Sequence, residues 1–165
     1  MLNPAQLRSR LEAMSFPDLG AMMEGYARAA VDFAAAHYRQ KLDYSGESID
    51  RLDEIVVLVG ENPDADLEFE VRLWGSYLGE VLRRRYAGGW EMTTYPGPMP
   101  GQEPGQEEDK KGGTEATAVP AVEVRGSRLF PLMKVYRRLT MGDEDDLRSF
   151  YTMVTGRLGS PARVN

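Results

Sequence analysis

His37 is the sole histidine among 165 residues, and the chain has no cysteine. A Ser-His-Asp triad or a histidine-based metal site therefore has one imidazole to draw on, and thiolate nucleophiles, disulfides and cysteine zinc sites are excluded. His37 falls one turn after Phe33 on an apolar helix face. That placement reads as a packed structural histidine rather than a general base. Ser45 and Ser48 have no partner base in view and suit helix capping. Asp64, Asp66 and Glu68 superficially resemble an oxygen-rich metal loop. They lack the glycine and the downstream bidentate glutamate of a calcium loop, and Asp64 reads instead as a helix cap. The run GDEDDL, residues 142–147, sets four acids ahead of a helix, where they complement its dipole and remain solvated. No G-x-G-x-x-G, P-loop, H-E-x-x-H or G-x-S-x-G motif occurs. An enzyme built on this chain would be a small hydrolase or transferase using His37 or a carboxylate pair in a cleft. No cofactor is expected.

The charge pattern points elsewhere. Net charge is −6, with a pI near 4.9. Half of that charge lies in residues 96–118, where Glu103, Glu107, Glu108, Asp109 and Glu115 face only Lys110 and Lys111. Residues 119–139 are basic, with Arg125, Arg128, Lys134, Arg137 and Arg138 against the single Glu123. Arg125 and Arg128 flank a two-residue turn, so both are expected on one sheet face. Lys134 and Arg138 are one turn apart on the following helix. Arg125, Arg128, Lys134 and Arg138 are therefore the candidate patch for an anionic ligand or an acidic partner surface. The competing reading is a solvated face, paired in part with Asp143–Asp146. The acidic balance disfavours general binding to a nucleic-acid backbone. No apolar run approaches the ~18–20 residues needed to cross a bilayer, and MLNPAQLRSRLEAM has no signal-peptide pattern, so a cytoplasmic location is expected. The sum is a protein-binding, regulatory or toxin-neutralising module with no nucleic-acid or membrane partner.

The elements that carry these residues are mainly helical. Asn3 before Pro4 caps a short helix bearing Leu7, Leu11 and Met14. A second helix is expected from Asp18 to Lys41, with Met22, Met23, Tyr26, Ala30, Phe33 and His37 on its stripe. Ser45 can cap a third, carrying Ile49, Leu52, Val56 and Val59 and ending at Gly60. Asn62-Pro63-Asp64 turns into a long helix from Ala65 to Tyr86. Trp90–Tyr95 alternates as a strand does. Residues 97–118 read as a flexible Pro/Gly-rich acidic insertion. Ala121–Arg125 is a second strand, Gly126-Ser127 its turn and Arg128–Phe130 a short return. Pro131 opens a helix with Leu132, Val135, Tyr136 and Leu139 on one side. Asp143 caps the last one, whose stripe is Leu147, Phe150, Tyr151 and Val154 and whose end is Gly156. Residues 1–156 thus form one α+β domain, mainly helical, with a small two- to three-stranded antiparallel sheet; residues 157–165 read as a loose tail.

The stretch WGSYLGEVLRRRYAGGW, residues 74–90, sets Gly75 and Gly79 one turn apart on a flank of the long helix. Each glycine costs about 1 kcal/mol relative to alanine in a helix interior, so close approach of another backbone or an aromatic ring is expected there. Gly88-Gly89 suits a helix end needing positive φ. Arg83 and Arg84 point away from the apolar stripe. Arg85 falls near it and either pairs with Asp53 or reaches past the helix end to its last carbonyls.

The segments LDYSGESIDRLDEI, GSYLGEVLRRRYAGGW, VEVRG, FPLMKVYRRL and GDEDDLRSFY, in this order, resemble a bacterial family of uncharacterised domains of unknown function over roughly residues 30–155. The resemblance implies a single domain. It implies no activity, cofactor or catalytic residue.

Overall fold

The long helix that holds the two glycines is the axis of the molecule. The computed structural model describes residues 2–96, 118–142 and 146–162. The elements run α1 (Pro4–Glu12), α2 (Leu19–Phe33), a short π-helix (Ala34–Tyr38), α3 (Ser48–Gly60), α4 (Leu67–Tyr86), β1 (Gly89–Thr94), β2 (Ala118–Val124), β3 (Ser127–Leu129), α5 (Pro131–Met141) and α6 (Leu147–Leu158). The fold is a mainly helical α+β domain with a three-stranded antiparallel sheet in the order β1-β2-β3. Helix α4 packs against α2, α3, α5 and β2 at once. Being enclosed on every side, it buries Trp74, Tyr77, Leu78 and Leu82, and also Glu70, Ser76 and Glu80. Leu67, expected in its core stripe, is an exposed residue of the first turn.

Both predicted close approaches at the glycine flank are present. A Cβ on Gly75 would lie 2.8 Å from the Cα of Leu132, so this glycine lets the α5 backbone nest against α4. A Cβ on Gly79 would lie 2.1 Å from the ring of Trp90. The second glycine pair works differently from the expectation. The left-handed residue that closes α4 is Ala87, with φ 54°, while neither Gly88 nor Gly89 has positive φ. Gly88 is needed for space, since a Cβ there would meet the Glu123 carbonyl oxygen at 2.5 Å.

Several boundaries move for local reasons. Helix α2 stops at Phe33 and widens into the π-helix, which Arg39 closes in the left-handed region at φ 53°. The expected continuous helix to Lys41 is therefore shorter and has a different end. The cap of α4 is Asp66, whose side chain accepts the Phe69 amide, and not Asp64. The cap of α6 is Asp146, which accepts the Ser149 amide; Asp143 lies outside the described residues. Gly156 sits inside α6, which runs on to Leu158 and ends at Gly159 with φ 81°. Glycine in a helix interior is unfavourable but tolerated, and the left-handed terminator lies three residues later.

The hairpin turn is Arg125-Gly126, both at positive φ, with Val124 paired to Ser127. Two consecutive left-handed residues match the twist of a two-residue hairpin. This places Arg125 in the turn rather than beside Arg128 on a sheet face. The expected acidic insertion, 97–118, lies outside the described residues except for Ala118, which begins β2. The segment after α6, expected to be loose from 157 onward, is tied down as far as it is described. The Ala162 amide donates to the Arg85 carbonyl at 2.8 Å, and the Tyr86 hydroxyl donates to the Gly159 carbonyl at 3.0 Å.

Candidate functional site

The four residues of the expected basic patch do not act together. Arg138 makes a two-pronged pair with Asp53, each contact 2.8 Å, and donates to the Gly142 carbonyl at 2.9 Å. Its side chain is 8% exposed, so it is a buried link between α5 and α3 and not a surface cation. Asp53 also accepts the Leu147 amide at 3.0 Å, which adds the start of α6 to the same joint. The pairing of Asp53 with Arg85, one of the two alternatives for that arginine, is thereby replaced. Arg85 turns instead to the Tyr86 hydroxyl at 3.2 Å and to the rings of Tyr86 and Tyr151. Arg125, from the turn, donates to the Leu158 and Ser160 carbonyls and covers the Tyr86 ring. It fastens the segment after α6 to the end of α4. Arg125 and Arg138 are structural.

Arg128 and Lys134, the other two, do meet. They share a groove of about 600 Å³ between β3, α5 and α6 with Arg137 and Arg157. Its apolar surface comes from Tyr95, Phe130, Met133, Phe150 and Met153. Tyr95 and Phe130 meet edge to face at 5.1 Å, and the Lys134 ammonium stands 5.9 Å from the centre of the Phe150 ring. No acid lines this groove among the described residues. Arg128 is held at one margin by Glu91, at 2.6 Å across the sheet. Arg137 was missed as a site residue because it lies on a face that looks solvated in the sequence, and Arg157 because the residues after Gly156 were expected to be a loose tail. Only the packing of α6 beside α5 brings Arg157 to Lys134.

The three consecutive arginines serve a different purpose. Glu80 is fully buried in α4 and accepts from Arg83, Arg84 and the Trp90 indole, the last at 2.9 Å. Burial opposes its ionisation, but the hydrogen bonds from Arg83 and Trp90 and the charges of Arg83 and Arg84 outweigh that cost. Its carboxyl is held below the usual range. Arg84 in turn stacks on Tyr44 at 3.6 Å. Tyr44 sits at φ 64°, and its amide donates to the Tyr77 hydroxyl at 2.8 Å; Tyr77 and Ser48 share a further hydrogen bond of 2.6 Å. Ser48 is therefore part of a buried polar joint. Ser45, expected to cap α3, lies one turn ahead of it: the residue at the cap is Glu47, which makes no side-chain cap bond, and the Ser45 hydroxyl accepts the Ser48 amide at 3.2 Å.

His37, one of the two expected catalytic starting points, is held by two contacts. His37 stacks on Phe33 at 3.9 Å and its Nε2 donates to the Leu2 carbonyl at 2.5 Å. It is an exposed tie to the start of the chain, not a core residue. Glu70 is buried, and its carboxylate accepts the Trp74 indole at 2.6 Å. Burial pushes its carboxyl above the usual range, and the charge of Asp66 adds to this against the indole bond. Among the described residues no three histidines or acids gather as a metal site. Asp66 caps α4 and pairs with Arg8, while Glu68 lies 3.8 Å from Arg8 and 3.6 Å from Arg72.

A second cleft of about 600 Å³ lies between α1 and α2, lined mainly by apolar side chains from both. It shares no residue with the basic groove. No helix among the described residues is long and apolar enough to cross a membrane. No family model matches the chain, and no curated protein or solved structure matches it.

Proposed function

We propose that this protein is a non-enzymatic binding module whose partner is another protein, recognised through an acidic segment that carries aromatic or other apolar residues. The observation that supports this reading is the groove between β3, α5 and α6. In a chain of net charge −6 its lining brings four cations together with three aromatic rings and two methionines. Cations over aromatic surface favour carboxylates flanked by apolar groups, and a partly desolvated groove strengthens each such contact. The same net charge repels extended polyanions, which argues against a nucleic-acid backbone as the occupant.

The test uses a fluorescein-labelled peptide of alternating aspartate and phenylalanine, with an asparagine-for-aspartate peptide as control. The wild type binds the acidic peptide, more weakly as salt rises. Lys134→Glu with Arg157→Glu lowers the affinity at least tenfold while circular dichroism stays unchanged. Equal binding by the double variant, or equal binding of the two peptides, overturns the reading.

A further inference from the structure

The first two helices form an antiparallel hairpin that stands open along its middle. On the α2 side the wall is Ala21, Gly25 and Ala29, four apart, with Ala36 of the π-helix beyond them, small residues that leave space where larger ones would fill it. On the α1 side it is Leu7, Leu11 and Met14. Both ends are shut. At one, Phe16 lies against Gly25, where a Cβ would come within 2.6 Å of its ring. At the other, His37, carried by the π-helix, bonds to the Leu2 carbonyl and bridges the two walls. π-Helical turns occur often at functional sites, and here the turn sets Ala36 and His37 at the mouth of the cleft.

We infer that this cleft is a binding site for a compact, uncharged apolar molecule, aromatic or branched aliphatic. Two observations select that class. The volume, about 600 Å³, falls within the ~300–1,000 Å³ of small-molecule sites. The rim is electrically balanced, with Arg10 and Arg28 against Glu24 and Asp32, and Arg28 already pairs with Glu24 at 3.2 Å. A charged head group therefore gains little there, while apolar atoms gain the burial that the walls offer. Met14, half exposed at the margin, has the flexible side chain suited to closing over ligands of different outline.

The site is tested with N-phenyl-1-naphthylamine, an uncharged dye that brightens in apolar surroundings. Saturable binding with one equivalent per chain is expected, together with a rise in melting temperature. Ala29→Phe fills the middle of the cleft and abolishes dye uptake; Ala36→Phe weakens it at least fivefold. Arg157→Glu, at the other groove, leaves uptake unchanged, so this test is independent of the proposed protein partner. Circular dichroism and the melting temperature of the dye-free variants report folding. Undiminished uptake by both folded phenylalanine variants overturns the inference. So does the absence of saturable binding by the wild type, or stronger uptake of an anionic naphthalene sulfonate than of the neutral dye.

Discussion

Adding one methyl group at Gly79 tests how the buried centre of the molecule is held. In Gly79→Ala the new Cβ would lie 2.1 and 2.3 Å from two atoms of the Trp90 ring and 3.0 Å from the Pro131 ring. Ordinary carbon contacts are ~3.5–4.0 Å, so the indole must retreat by more than an ångström. Its freedom to do so is limited, because Nε1 donates to the buried carboxylate of Glu80. Overpacking costs about 1–3 kcal/mol. Loss of a hydrogen bond to a charged group costs about 1.5–3 kcal/mol. The gain in helix propensity returns about 1 kcal/mol. The net expectation is destabilisation of about 1.5–5 kcal/mol. Urea unfolding at neutral pH, followed by circular dichroism, measures it. Gly156→Ala is the companion, because that glycine lies in α6 with nothing within 4 Å of its would-be Cβ. There the propensity term acts alone and should stabilise by up to about 1 kcal/mol. A Gly79→Ala variant as stable as the wild type would refute the steric argument, whatever Gly156→Ala does.

The two buried glutamates of α4 should respond to pH in opposite senses. Glu70 has a raised pKa in the folded state, so the stability linked to it is present below its ordinary value of 4.5 and is lost as pH rises through the folded value. Glu70→Gln should remove that decline, seen as a stability difference from the wild type that grows between pH 4 and 7. Glu80 has a lowered pKa, so its contribution is present above 4.5 and is lost as pH falls through the folded value. Glu80→Gln should therefore destabilise at pH 7 and lose that effect in acid; parallel pH profiles for the two variants would contradict the assignment. Arg138→Ala should cost about 3–5 kcal/mol, because it strands Asp53 in a largely buried joint. Denaturant unfolding checks this, and a loss below 1 kcal/mol would mean the joint is solvated.

Much of the fold was legible in the chain because local rules suffice for it. Asn3-Pro4 starts α1 with a reciprocal cap to Gln6, and Trp90 to Thr94 alternates as a strand. The glycine flank of α4 was legible because an unfavourable residue repeated on one line needs a compensating contact. What failed was long-range. Residue spacing put Arg138 with Lys134 on the outer face of its helix and Arg85 beside an apolar stripe, so it could not reveal that Asp53 would meet Arg138 from α5. The turn at Arg125-Gly126 was misplaced by one residue because a non-glycine at positive φ has no strong sequence mark. That single shift sends Arg125 to the Leu158 and Ser160 carbonyls and removes it from the predicted patch. Arg157 was invisible for the converse reason: Gly156 looked like a helix end, so the residues behind it were not placed on α6.

The fates of the arginines also bear on the binding proposal. The chain has 20 basic residues against 26 acidic ones, so an inward-facing cation readily finds a carboxylate, as Arg83 and Arg138 do. The groove between β3, α5 and α6 gathers Arg128, Lys134, Arg137 and Arg157 beside aromatic rings and methionines, and Arg128 is held there by Glu91. Arg157 separates recognition from structural support, because no described residue pairs with it and its stem lies on the groove wall. Arg157→Gln removes the charge while keeping length and polarity. If the charge serves recognition, stability should stay within about 0.5 kcal/mol of the wild type, or rise as local repulsion falls. Binding of the acidic aspartate–phenylalanine peptide should weaken severalfold, with a shallower salt dependence. Arg138→Gln provides the opposite signature, a large stability loss with peptide affinity unchanged for the molecules that remain folded. An Arg157→Gln variant that loses more than about 1 kcal/mol while binding the peptide normally would make Arg157 one more structural arginine, and the groove would lose its claim as a recognition surface.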